Sequence, residues 1–140
     1  PISVLVACKR KFKKVESLGY EISFVPIQRV WGYQGEKQGN ATVFVADAEK
    51  LLIDSFLKPK CMGNFNEIEL VFQNAVVDFK KVEEYLLKLG SEKVFRQVGF
   101  MLELHKGVDI SKLVKISKNY YHLNPFEEGK EVNAKWRLFV

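Results

Sequence analysis

The chain has 140 residues, 47% hydrophobic and 28% charged, with 22 Lys/Arg against 17 Asp/Glu for a net charge of +5. That is enough for one real core but not for two large domains, so a single regulatory-sized domain over residues 1–140 is expected. No apolar run approaches 18 residues and no cleavable leader is visible, so a membrane-spanning segment is excluded and the cytoplasm is the default location.

The basic excess is uneven, and half of the ten Lys/Arg in residues 1–60 lies in Lys9, Arg10, Lys11, Lys13 and Lys14 around Phe12. Two cysteines, Cys8 and Cys61, do not make a disulfide framework, and Cys8 reads as a buried free thiol.

In chain order, residues 2–8 are β-rich and only weakly alternating, which predicts a strand covered on both faces. The basic cluster ends it. Gly19 opens a second strand over 20–26, with Tyr20, Ile22 and Phe24 on one face and Pro26 at its end or on an edge. Strand-like Ile27 to Tyr33 follows, then a Gly-rich polar loop from Gln34 to Asn40 and a strand over 42–46.

Asp47 is placed to cap a helix that Pro59 stops. Asn64 and Glu67 have capping-box spacing ahead of a helix carrying Ile68, Val71, Phe72, Ala75 and Val76. Asp78 caps a third helix closed by Gly90, and Ser91 caps a fourth closed by Gly107. On that fourth helix Phe95, Phe100 and Leu104 lie off the main apolar side, so it packs on two faces or meets a partner. A short fifth helix begins at Asp109, and strands close the chain around Tyr120–Leu123 and Trp136–Val140.

Strands come first, then helices, then strands, without regular alternation. The expected class is therefore α+β, a small mixed or antiparallel sheet of four to six strands with about five helices packed mainly on one side.

Catalytic chemistry is sparse. His105, His122, Cys8 and Cys61 have no metal-ligand spacing, so no metal or other cofactor is expected. Nucleophile elbows and phosphate-binding glycine loops are missing, and Gly32, Gly35 and Gly39 read as turn residues. Asp47, Glu49 and Asp54 are the nearest thing to a carboxylate cluster. They read best as helix-start acids plus an internally paired Asp54, because a half-buried carboxylate needs a partner. The rival is a metal-dependent nucleic-acid-processing or phosphoryl-transfer enzyme built on those three carboxylates. The Lys9–Lys14 cluster is the best candidate for a nucleic-acid or protein contact.

The segment Val45-Ala-Asp-Ala-Glu-Lys-Leu-Leu-Ile-Asp54 and its continuation to Gly63 resembles the characteristic stretch of AbiEi-type antitoxins and transcriptional regulators. There a strand runs into a helix ending in Asp, followed by a Pro and a Cys-Gly-Gly-like turn. Glu49, Lys50, Leu52, Ile53, Asp54, Pro59, Cys61 and Gly63 sit on matching positions, and Met62 stands where the first glycine is usual. Residues 19–26 look like the family's "G-x-x-I-x-F" strand. Residues 91–103 look like its "R-x-G-(F/Y)-x-(L/A)-E" helix through Arg96, Gly99, Phe100 and Glu103, with two residues between Arg96 and Gly99 where the pattern has one.

The resemblance spans most of residues 2–105. It implies a non-enzymatic C-terminal regulatory domain of a protein whose N-terminal winged helix, outside this chain, would bind DNA. It also implies a nucleotidyltransferase-like toxin encoded nearby as partner, with a homodimer as a further option. In that reading Asp47, Glu49, Lys50, Asp54, Pro59, Cys61, Gly63, Arg96, Gly99 and Glu103 are structural, and Lys9, Arg10, Lys11, Lys13 and Lys14 carry the contact.

Overall fold

A computed structural model describes the backbone of residues 2–8, 15–17, 20–26, 33–38 and 41–140, with side chains from Ala46 onward. The expectations for the Cys8 thiol, for a strand over 27–32 and for the Lys9–Lys14 cluster lie outside the described residues. Two compact units are formed, Pro1–Tyr33 and Gln34–Val140, so the Pro59–Gly63 junction falls inside the second.

The first unit is a three-stranded mixed sheet. Strand β1 (Ile2–Cys8) runs parallel to β3 (Tyr20–Pro26), pairing Ile2 with Tyr20 and Cys8 with Pro26. A short β2 (Val15–Ser17), which the sequence pattern does not suggest, lies antiparallel on the other side of β3. Pro26 closes β3, a position where its missing N–H is tolerated.

The pair β4 (Tyr33–Gln38) and β5 (Ala41–Ala46) comes next, all but Tyr33 in the second unit. The sequence pattern predicts a loop over most of β4. Its polar residues form a strand instead because β5, rich in β-branched and aromatic side chains, supplies a pairing edge, and a two-stranded ribbon demands no apolar alternation.

Four helices follow, α1 (Ala48–Leu57), α2 (Phe65–Asn74), α3 (Phe79–Leu89) and α4 (Glu92–Lys106). The side chains of Asp47, Asn64, Asp78 and Ser91 accept first-turn N–H groups at 2.8, 3.0, 3.0 and 3.3 Å. Each cap satisfies a donor that the helix cannot satisfy itself. Gly90 and Gly107 close α3 and α4 with φ of 70° and 66°, a backbone region that costs glycine little. Helix α2 stops at Asn74, before the last two apolar positions of its pattern, and Val76 is exposed.

Helix α1 packs on α2, α3 and α4, and α2 also packs on α4. Leu52, Ile53 and Phe56 meet Ile68, Phe72, Val82, Leu86, Val98, Met101 and Leu102 in one apolar interior. The Phe56 and Phe72 rings lie 5.8 Å apart. Among the described residues no helix is long and apolar enough to cross a membrane.

After α4 the chain makes a third small sheet in the order β6 (Tyr121–His122), β8 (Leu138–Phe139), β7 (Val132–Asn133). Strand β6 is parallel to β8 and β7 antiparallel to it. The architecture is α+β, with mixed open sheets and a block of packed helices. The fifth helix does not form. Asp109 accepts the Ser111 N–H at 2.9 Å and Leu113 closes one turn onto Ile110, but the carbonyls of residues 116, 117 and 119 bond to arginine side chains instead of helical amides.

Helix α4 is buried on two sides. Val94, Val98, Met101 and Leu102 belong to the helical interior, while Phe95 packs edge-on against Trp136 with ring centroids 5.8 Å apart. Of the residues off its main apolar side, Phe95 is core and Leu104 is exposed. Gly99 sits directly beneath the Trp136 ring, where an added Cβ would lie 2.3 Å from the nearest ring carbon. Glycine in a helix interior normally costs about 1 kcal/mol relative to alanine. Here the sign should reverse, and Gly99→Ala is expected to destabilise the chain by about 1–3 kcal/mol through overpacking, read by urea unfolding. A variant as stable as the parent would show that the Trp136 ring does not sit on this glycine.

Candidate functional site

Two polar clusters hold Asp47, Glu49, Arg96, Gly99 and Glu103 among the residues singled out in the sequence. The first surrounds the start of α1. Asp47 caps that helix with one carboxylate oxygen, while the other accepts the Tyr85 hydroxyl at 2.6 Å and pairs with Lys81 at 2.9 Å. Burial pushes the Asp47 carboxyl up, but the Tyr85 hydroxyl, the Lys50 N–H and the Lys81 ammonium outweigh it and hold it below its ordinary value. Glu49, one turn in, accepts the backbone N–H of Asp78 at 3.0 Å. Both acids therefore tie α1 to α3.

Asp54 faces elsewhere. It pairs with Lys50, four residues earlier on the same helix and only 4% exposed. Burial raises the Asp54 carboxyl above its ordinary value in spite of the lysine beside it. The expected internal pairing of Asp54 is thus present.

Asp47, Glu49 and Asp54 are each committed to a different partner. Among the described residues no group of three or more potential ligands is arranged to hold a metal ion. The metal-dependent enzyme reading gains no support from this geometry.

Pro59 starts a single 3-10 turn, Pro59–Cys61, after Lys58 closes α1. Cys61 carries a free, half-buried thiol that burial pushes up, so it is not activated as a thiolate. Gly63 follows with φ of 89°, and Asn64 then caps α2. This stretch is a helix–helix connector.

The second cluster lies on α4. Glu92, Arg96, Gly99 and Glu103 are spaced four, three and four residues apart, which places them on one helical stripe. That stripe faces the C-terminal segment. Arg96 is 0% exposed. Its Nη1 donates to the carbonyls of Asn119 and of Arg137, and its Nη2 donates to Glu92 and to the carbonyl and hydroxyl of Ser117, the last two at 3.0 Å. The guanidinium also stacks over the Tyr121 ring at 4.9 Å.

Glu92 completes the cluster by accepting the Ser117 N–H as well. First that N–H, then the Arg96 guanidinium, hold its carboxyl below the ordinary value of 4.5. Arg137 lies in the left-handed region at φ 49° and aims its own guanidinium at the carbonyls of Ile116 and Ser117. Gln97 donates to the carbonyl of His122 at 2.9 Å. At the far end of the stripe Glu103 and Asp109 share Lys135. Arg96, Gly99 and Glu103 all therefore grip the last thirty residues.

Sequence reasoning missed the partners: Tyr85, Lys81, Ser117, Tyr121, Trp136 and Arg137. The Glu92–Arg96 spacing, like that of Lys50 and Asp54, is readable as an i,i+4 pair, whereas these partners depend on where the chain returns. In these two clusters of described residues no nucleophile, base and oxyanion donor come together.

Arg96→Met should destabilise the chain by at least about 2 kcal/mol, because it strands buried carbonyls. Arg96→Lys should recover only part of that, since an ammonium cannot reproduce the planar fork. Full recovery in urea titrations would contradict the geometry. Glu92→Gln keeps the acceptor and removes the charge. A depressed folded-state carboxyl adds stability above its unfolded value, and that contribution fades as pH falls through the folded value. The gap between parent and Glu92→Gln should therefore be largest above pH 4.5 and close below it. A gap constant from neutral pH into that acid range would rule out the linkage. Comparison of the chain with protein-family models, with curated proteins and with solved structures found no match.

Proposed function

We propose that the chain is a non-enzymatic regulatory and interaction domain of the AbiEi-like antitoxin or transcriptional-regulator kind. One observation carries this reading. The described polar side chains on which the resemblance rests are taken up by partners within the chain: Glu49 onto α3, Lys50 and Asp54 onto each other, Arg96 and Glu103 onto the C-terminal segment. Such residues mark a fold and leave reaction chemistry without a centre.

Function then falls to the surface. Lys9, Arg10, Lys11, Lys13 and Lys14 concentrate half of the positive charge of the first sixty residues. In the proposed role they steer the domain toward a DNA backbone or an acidic protein surface, where charge sets encounter rate and orientation. The partners that fit are operator DNA bound by a winged helix in the parent protein, a nucleotidyltransferase-like toxin, or a second copy. A cytoplasmic setting belongs to the same proposal.

Charge reversal at Lys11 and Lys13 should weaken DNA or partner binding by the parent protein without changing its thermal unfolding. If the partner is DNA, the slope of log K against log salt should fall by about 2, roughly one for each phosphate that is no longer neutralised. Superimposable salt titrations would remove the cluster from the proposed role.

A further inference from the structure

We infer that the segment Ser111–Tyr120, together with the outer face of the C-terminal sheet, is a binding platform for single-stranded nucleic acid. This goes beyond the proposed regulatory role and uses a surface distant in sequence from the Lys9–Lys14 cluster.

The backbone of the segment is fixed from inside. The carbonyls of residues 116, 117 and 119 point at Arg96 and Arg137, and the Ser117 N–H points at Glu92. With those groups turned inward, Lys112, Lys115 and Lys118 are all exposed. Residues 110–120 hold these three lysines and no Asp or Glu. None of the three makes an ion pair or a side-chain hydrogen bond among the described residues. Because the backbone is already ordered, binding costs the rotamer freedom of the three lysine side chains but no loop ordering.

The lysines lead into a row of rings. Strand register puts His122 and Phe139 on one rung of the sheet, and puts Tyr121 and Leu138 on the next. Tyr121 and Leu138 take the inner face, one under the Arg96 guanidinium and the other fully buried. His122 and Phe139 therefore take the outer face, and Tyr120 joins them. The Tyr120 and Phe139 centroids are 5.4 Å apart and those of His122 and Phe139 are 5.0 Å apart, with interplanar angles of 37° and 34°. Tyr120 is 41% exposed. Gly129 donates its N–H to His122 Nδ1 at 3.3 Å, which holds that end of the row.

Lysines that meet phosphates beside an exposed aromatic ring that meets a base are the two components of single-strand recognition. A duplex would use only the lysines, because its bases are already stacked. An acidic peptide would likewise leave the ring row unused. Lys118 follows Lys112 by six positions, a span of at most about 21 Å when extended. That length suits a site at the lower end of the range of about 4–16 nucleotides.

The test is fluorescence anisotropy with a labelled twelve-nucleotide oligouridylate, the matching oligothymidylate, a duplex of equal length and a polyglutamate peptide, all on the full 140-residue chain. The single strands are expected to bind at least tenfold more tightly than the duplex or the peptide, with a salt slope of about −2 from three phosphate contacts. Lys112→Gln with Lys115→Gln should flatten that slope. Tyr120→Ala should weaken binding by about fivefold or more, whereas Tyr120→Phe, which keeps the ring, should bind as the parent does. Circular dichroism of each variant reports the fold, and the Tyr120→Phe comparison separates a loss of stacking from a loss of structure. Equal or tighter binding of duplex or polyglutamate would overturn the inference. So would failure of both single strands to bind, or parent-like affinity in Tyr120→Ala and in the double lysine variant.

Discussion

The burial of a guanidinium, that of Arg96, is the constraint on which the second half of this molecule depends. Taking such a charge out of water costs several kcal/mol unless its donors find acceptors. Glu92, Ser117, Asn119 and Arg137 supply those acceptors, and two of them, Ser117 and Asn119, lie in a stretch without regular secondary structure. The irregular segment is thereby given one conformation. After the single turn of Ile110–Leu113 the carbonyls of residues 116, 117 and 119 are drawn to the arginines, and the segment continues without helix.

From that point the fold can be followed outward. Arg96 and Glu92 fix residues 117–119, those residues deliver Tyr121 to pair with Leu138, and Trp136 then closes over Gly99. On its opposite side α4 contributes Val98, Met101 and Leu102 to the interior shared with α1, α2 and α3. One helix thus joins an apolar interior, legible as periodicity, to a polar one that no periodicity announces.

That difference explains what could be read in the sequence. Caps at Asp47, Asn64, Asp78 and Ser91, the stops at Gly90 and Gly107, and the strands over 2–8 and 20–26 were legible because each is written in a few neighbouring residues. Strand β4 was not, since its polar residues form a strand only by pairing with β5. The internal pairing of Asp54 was legible from its place beside an apolar face, but the binding of Asp47 to Tyr85, 38 residues away, was not. Long-range hydrogen bonds depend on the return of the chain, and composition carries no trace of that return.

The same logic separates the residues that mark the fold from those available for contact. Charges drawn inside hold positions, and the proposed contacts fall to charges left outside on an ordered backbone. If Arg96 is the organiser, its removal should be felt locally before it is felt globally. Native-state hydrogen exchange of Arg96→Met tests this most directly. The account predicts that the amides of Tyr121, Leu123 and Val140, which bond to Arg137, Phe139 and Glu131, lose more protection than those of Leu51 and Val82. Unchanged protection at Tyr121 and Leu123, or an equal loss at Leu51 and Val82, would contradict it.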